Sequence, residues 1–130
     1  MRYMGIDFGT KRIGIALSNE SNEFALPHSV VKNDARLMPT LEGLCAEYNV
    51  STIVVGESKD FSGKDNPVME HIREFIGQMS LEIPGVRIEL EPEFLTSHQA
   101  HHIQGKTPLL DASSAAIILQ SFLDKQKHSQ

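Results

Sequence analysis

The residue most in need of a chemical explanation is an aspartate set among apolar neighbours near the start of the chain. In Gly5-Ile6-Asp7-Phe8-Gly9-Thr10-Lys11-Arg12-Ile13-Gly14-Ile15-Ala16, Asp7 interrupts a strand-like run. An ionised carboxylate there meets a desolvation penalty unless it is hydrogen-bonded or binds a cation, which makes a metal ligand its natural role. Glycines at positions 5, 9 and 14 permit close approach of backbone to backbone or to a phosphate. The turn amides, with Lys11 and Arg12, put positive potential beside the carboxylate. A hairpin that ends in a solvated aspartate is the plainer alternative.

Other residues offer chemistry with a bland reading beside it. Glu89, Glu91 and Glu93 fit the wet face of a strand. Asp111 stands before a helical pattern that it can cap, a contribution of about 1 kcal/mol without any catalysis. His98 and His102 are four apart and share a helical face with His101 nearby, a spacing that can clamp zinc. Further zinc ligands are not evident, so a solvated helix face is favoured over a proton shuttle beside a metal site. Lys11, Arg12, Lys59, Lys64 and Lys106 are candidates for phosphate contacts if loops gather them at one end of a sheet. Cys45, the one cysteine, lies in an apolar helical pattern and reads as an inert buried thiol.

These residues need elements to hold them. Tyr3 to Phe8 and Arg12 to Ser18 read as two antiparallel strands joined at Gly9-Thr10-Lys11, and a third strand around Glu23 to Val31 follows the Asn19-Glu20-Ser21-Asn22 turn. After Pro39, Leu41, Leu44, Cys45 and Tyr48 recur at helical spacing up to Asn49, and the β-branched run Ser51 to Val55 predicts a buried strand. Gly56 to Asn66 has the composition of a loop. Pro67 then stands at the first position of a helix whose face carries Val68, Ile72, Phe75, Ile76 and Met79. Pro84-Gly85 breaks that helix, and Val86, Ile88 and Leu90 alternate with Arg87, Glu89 and Glu91 as a half-buried strand. Thr96 to Gln104 predicts a short helix stopped at Gly105. The last helix carries Ala115, Ile118, Leu119, Phe122 and Leu123 on one face, with a frayed tail from Lys125 to Gln130. The result is an α/β fold: a mixed five-stranded sheet, its first three strands antiparallel, with helices packed on it.

The chain's 130 residues suit one domain over 1–130. No apolar run reaches the roughly 18 residues of a membrane helix, and no signal peptide precedes the first strand, so a cytoplasmic protein is expected. The net charge of −5 argues against a broad basic surface gripping duplex nucleic acid. It leaves room for a metal-dependent nuclease, whose clustered carboxylates are offset by bound cations.

Over nearly its whole length the chain resembles the YqgF family of Holliday-junction-resolvase-like proteins associated with pre-16S rRNA cleavage. The resemblance rests on residues 5–14, on Ile53-Val54-Val55-Gly56, on Glu93-Phe94-Leu95-Thr96-Ser97, and on the block from Asp111 to Gln120. It implies a ribonuclease H-like fold and an acidic site of Asp7, Glu93 and Asp111, which as catalytic and metal-binding residues would hold Mg²⁺ or Mn²⁺. Such ions take oxygen ligands, activate water and neutralise phosphoryl charge. The implied activity is a metal-dependent endonuclease acting on nucleic acid, RNA rather than DNA, at the 5′ end of pre-16S rRNA, by a monomer or homodimer. Resolution of branched DNA, or a noncatalytic nucleic-acid-binding or ribosome-associated module, are the alternatives. The hairpin around Asp7 is also similar to the phosphate loop of actin-like ATPases and sugar kinases, but 130 residues leave no room for their second lobe.

Two departures from the family pattern stand out. Pro92-Glu93-Phe94 replaces the usual Asp-Glu-Arg, and Ser58 replaces a proline after Gly56. Related resolvases have a glutamate near the end of the strand preceding this loop, which makes Glu57 a reserve metal ligand.

Overall fold

A computed structural model describes residues 1–57, 67–92 and 108–128, with side chains of the last segment described for residues 112–127. The opening hairpin follows from its alternating apolar residues. Strands β1 (Arg2–Phe8) and β2 (Arg12–Ser18) pair antiparallel, Met4 opposite Leu17 and Phe8 opposite Ile13. Strand β3 (Ala25–Lys32) continues the antiparallel part along β2, with an irregularity at Ile15/Ala16 opposite Pro27. It starts two residues later than expected because Asn19 folds back on Glu23 and Phe24, its side-chain oxygen accepting both their amides.

Helix α1 (Leu37–Glu47) begins before Pro39, not after it. Pro39 is the third helical residue, where a backbone N–H has no intrahelical partner to lose. Tyr48 caps the helix, and Asn49 turns the chain at φ 54°, the left-handed conformation that commonly follows a helix end. Strand β4 (Val50–Glu57) then lies parallel to β1, and extends two residues beyond the β-branched run. Helix α2 starts at Met69 and runs to Glu82, so Pro67 precedes the helix and its cap, Val68. Gly85, at φ 92°, makes the turn into β5 (Arg87–Pro92), which pairs parallel to β4. Sheet order is β3-β2-β1-β4-β5.

Helix α3 (Pro108–His128) is longer at both ends than its apolar face suggests. Asp111 is its fourth residue and so no cap, and the tail expected to fray remains helical through His128. The expected helix at Thr96 to Gln104 lies outside the described residues.

The two faces of the sheet pack differently. Met4, Ile6, Ile13, Ile15, Ile53 and Val55 join α1 and α2 in the larger core. Ala16 and Val54 meet Ala115, Ile118, Leu119 and Leu123 of α3 on the other side. Cys45 is buried within the larger core, where burial first and Glu42 second push its thiol up to about 11, as an inert cysteine requires. No helix among the described residues is long and apolar enough to cross a membrane.

Candidate active site

Side chains alternate across a strand, so Tyr3, Gly5 and Asp7 share the face of β1 that α3 covers. Asp7 is half-buried one residue before the strand's end. It pairs with Gly14 of β2, and because Ile6 pairs with Val55, the residue beside it on β4 is Gly56. The aspartate is thus flanked on both neighbouring strands by residues without a side chain.

Gly5 explains how α3 comes so close. A methyl group there would lie 2.6 Å from the Ala115 carbonyl oxygen and 2.7 Å from Leu119 Cβ, so any larger residue would lift the helix off the sheet. The same contacts fix the direction of the helix. Phe122 packs on Tyr3 with ring centroids 5.9 Å apart, while Leu119 and Ala115 lie over Gly5. Moving from Tyr3 to Asp7 therefore moves backwards along α3, toward its first turn. Four strand residues advance about 13 Å, and the eleven from Phe122 back to Asp111 about 16 Å, so the backbone of Asp111 runs toward the end of β1 that carries Asp7. The Asp111 side chain lies outside the described residues.

Parallel pairing brings two further strand ends to the same side. Glu57, the last residue of β4, is half-buried opposite Pro92, the last residue of β5. Glu93 follows Pro92 directly and lies outside the described residues, as do Lys59, Lys64, His98, His101, His102 and Lys106. Lys11 and Arg12 are exposed on the β1–β2 turn at this end. Among the described residues no three histidine, cysteine or acidic side chains come together as a metal site, and of the candidate carboxylates only Asp7 and Glu57 have described side chains.

One supporting residue, Asn33, was not singled out by sequence reasoning, and a second, Glu91, was assigned to water. Asn33 ties down the turn beside Asp7: its amide nitrogen Nδ2 donates to the Gly9 carbonyl at 3.0 Å, and its backbone N–H donates to the Lys11 carbonyl at 3.0 Å. An asparagine at a strand-to-helix junction is a signal for such a bond, although its partner cannot be read from spacing. Glu91 reverses an expectation. It is 3% exposed rather than wet, accepting from Ser121 Oγ at 2.9 Å and Lys125 Nζ at 2.6 Å, while Leu90 is 41% exposed. Val86 and Ile88 pack on the larger core and Arg87 is exposed, as alternation predicts, so the reversal is confined to the end of β5, where α3 covers Glu91 and supplies its polar partners.

The sequence pattern of the RuvX family, described as Holliday junction resolvase, matches residues 1–125. A protein of Caldanaerobacter subterraneus, provisionally named pre-16S rRNA nuclease, is 31% identical over 140 residues, covering 99% of this chain and 100% of its own length. One of Sulfurihydrogenibium with the same name is 30% identical over 135 residues, covering 98% and 93%. Among solved structures, Thermus thermophilus RuvC in complex with Holliday junction substrate superposes with a TM-score of 0.65 at 16% identity, covering 98% of this chain and 96% of that one. At that identity the likeness speaks for a common fold, the ribonuclease H-like sheet with flanking helices.

Proposed function

The chain belongs to the RuvX family of Holliday junction resolvases and is a nuclease, and on that premise we propose that it is a metal-dependent endonuclease, folded as one domain over 1–130, that cuts at the 5′ end of pre-16S rRNA. The names carried by its full-length relatives favour RNA. Such work belongs to the cytoplasm.

Asp7, Glu93 and Asp111 are the proposed ligands of Mg²⁺ or Mn²⁺; the reserve ligand Glu57 ends β4 at the same end of the sheet but has the strand parity of Ile53 and Val55, on the face opposite Asp7. The donor set suits such ions, since hard divalent cations prefer carboxylate oxygen. When bound they would supply an activated water and offset the charge of the phosphoryl group and leaving oxygen. The protein's part is to gather acidic oxygens on one face of the sheet end and to present Lys11 and Arg12 to neighbouring phosphates. The observation that supports this reading best is the run of α3 over Gly5, which carries the helix backbone at Asp111 toward Asp7.

The test is cleavage of an RNA spanning the 5′ boundary of 16S rRNA by the purified protein with Mg²⁺ or Mn²⁺. Cleavage that disappears with chelator and in Asp7→Asn supports the proposal. Uncut RNA under both metals, with Asp7→Asn binding Mn²⁺ as well as the native chain, overturns it. The family's description favours a second reading, resolution of four-way DNA junctions, and parallel assays on both substrates separate the two.

A further inference from the structure

On the opposite face of the sheet from α3, at the same end as Asp7, a pocket of about 240 Å³ opens between the start of α1 and the first turns of α2. Phe8 is the link between the two sides. It follows Asp7 in the chain and points to the other face, where its ring lies 5.1 Å from that of Phe75 at the pocket wall. The polar lining comes from Asn33, Asp34, His71, Glu74 and Gln78, and among the described residues the pocket is lined by no lysine or arginine.

This lining is rich in acceptors. Asn33 gives one Nδ2 hydrogen to Gly9 and keeps its Oδ1 for a ligand, Asp34 accepts the Arg36 backbone N–H at one carboxylate oxygen and keeps the other, and Glu74 is an exposed carboxylate. A phosphate would meet negative charge here. A flat group with amino or imino hydrogens meets matching oxygens, with phenylalanine carbon behind them.

We propose that this pocket receives an unpaired nucleobase next to the scissile phosphate, one bearing an exocyclic amino group, with guanine the best match because its adjacent N1 and N2 hydrogens complement a single carboxylate. The inference rests on the nuclease reading above. Single-stranded RNA is commonly recognised by splaying a base from the stack, placing it against aromatic side chains and hydrogen-bonding its Watson–Crick edge, and carboxylates accept from base amino groups. Asp7 and Phe8 make the arrangement feasible. They are adjacent residues on opposite sides of one strand end, so a strand that lays a phosphate against Asp7 can drop a neighbouring base over the rim.

The pocket can be tested by cleavage of a set of precursor RNAs, each with one nucleotide near the cut replaced by an abasic site or, at guanosines, by inosine. The native protein should slow about tenfold at one abasic position within a few nucleotides of the cut, and inosine there should reproduce part of the loss. In Glu74→Ala and Gln78→Ala, intact and substituted RNA should be cut at nearly equal rates. RNA that is cut with no such position, or variants that keep the full sensitivity, overturns the pocket and leaves the nuclease reading standing. RNA that the native protein neither cuts nor binds overturns both. Fluorescence of 2-aminopurine at the sensitive position, in complex with Asp7→Asn, gives a second readout: quenching that vanishes in Asp7→Asn/Glu74→Ala supports occupancy, and unchanged quenching refutes it.

Discussion

The two faces of the sheet are built to different specifications. Beneath α1 and α2, β1, β2 and β4 present Met4, Ile6, Ile13, Ile15, Ile53 and Val55, large side chains that interlock with Leu41, Ile72, Phe75 and Met79. Beneath α3 the same strands present Gly5, Asp7, Gly14, Ala16, Val54 and Gly56. The first face stores stability in apolar area. The second spends little area, lets a helix lie almost on the backbone at Gly5, and keeps short or absent side chains around one carboxylate. Since the faces belong to the same strands, residue parity separates the large core side chains from the proposed metal site, position by position.

The sharpest way to break this contrast is at Asp7. Asp7→Asn keeps the size and removes the charge, and should lower cleavage about a thousandfold while leaving the urea midpoint within experimental scatter of the native value. A large loss of stability with little loss of rate would make Asp7 a structural residue and erase the distinction. Next comes Gly5→Ala, one methyl group aimed at the Ala115 carbonyl. Because backbone has to give way, it should cost about 2 kcal/mol in urea unfolding and reduce Mn²⁺ affinity as the first turns of α3 move. Unchanged stability would mean that the helix is not held where the contacts put it.

Much of this layout was legible in the amino-acid sequence, for identifiable reasons. The hairpin around Asp7 could be read because alternation and turn glycines are local signals. The mixed sheet followed from counting strands and crossovers. Helix starts were misread at Pro39 and Pro67 because proline is tolerated before a helix and within its first turn alike. The burial of Glu91 was invisible because it depends on Ser121 and Lys125, thirty and more residues away. Nothing local distinguishes a wet glutamate from one covered by a distant helix. The proposed site was legible to different depths: Asp7 announced itself by its apolar surroundings, whereas Glu93 and Asp111 gained their roles from family resemblance.

Lys125 gives a smaller test of how α3 is tied to the edge strand. Its ammonium pairs with Glu91, whose side chain is 4% exposed, although the lysine itself is 60% exposed. Lys125→Met removes the charge from the pair and leaves Ser121 as a donor. With screening of the exposed lysine allowed for, the loss should be about 1 kcal/mol. Because Glu93 follows β5 directly, Mn²⁺ affinity should also weaken severalfold. A change in stability with metal affinity untouched would disconnect the strand end from the proposed site.

The smallest effect should come from Ile53→Val, and its value lies in what it spares. Ile53 is fully buried in the core under α1 and α2, while its neighbour Val54 faces α3. Loss of one methylene should cost about 1 kcal/mol in urea unfolding. If parity separates the two tasks, the cleavage rate per folded molecule and the Mn²⁺ affinity stay at native values, in contrast to Gly5→Ala, where both should fall. Equal loss of activity from both substitutions would mean that the faces communicate through the strands, and that the small residues under α3 serve packing alone.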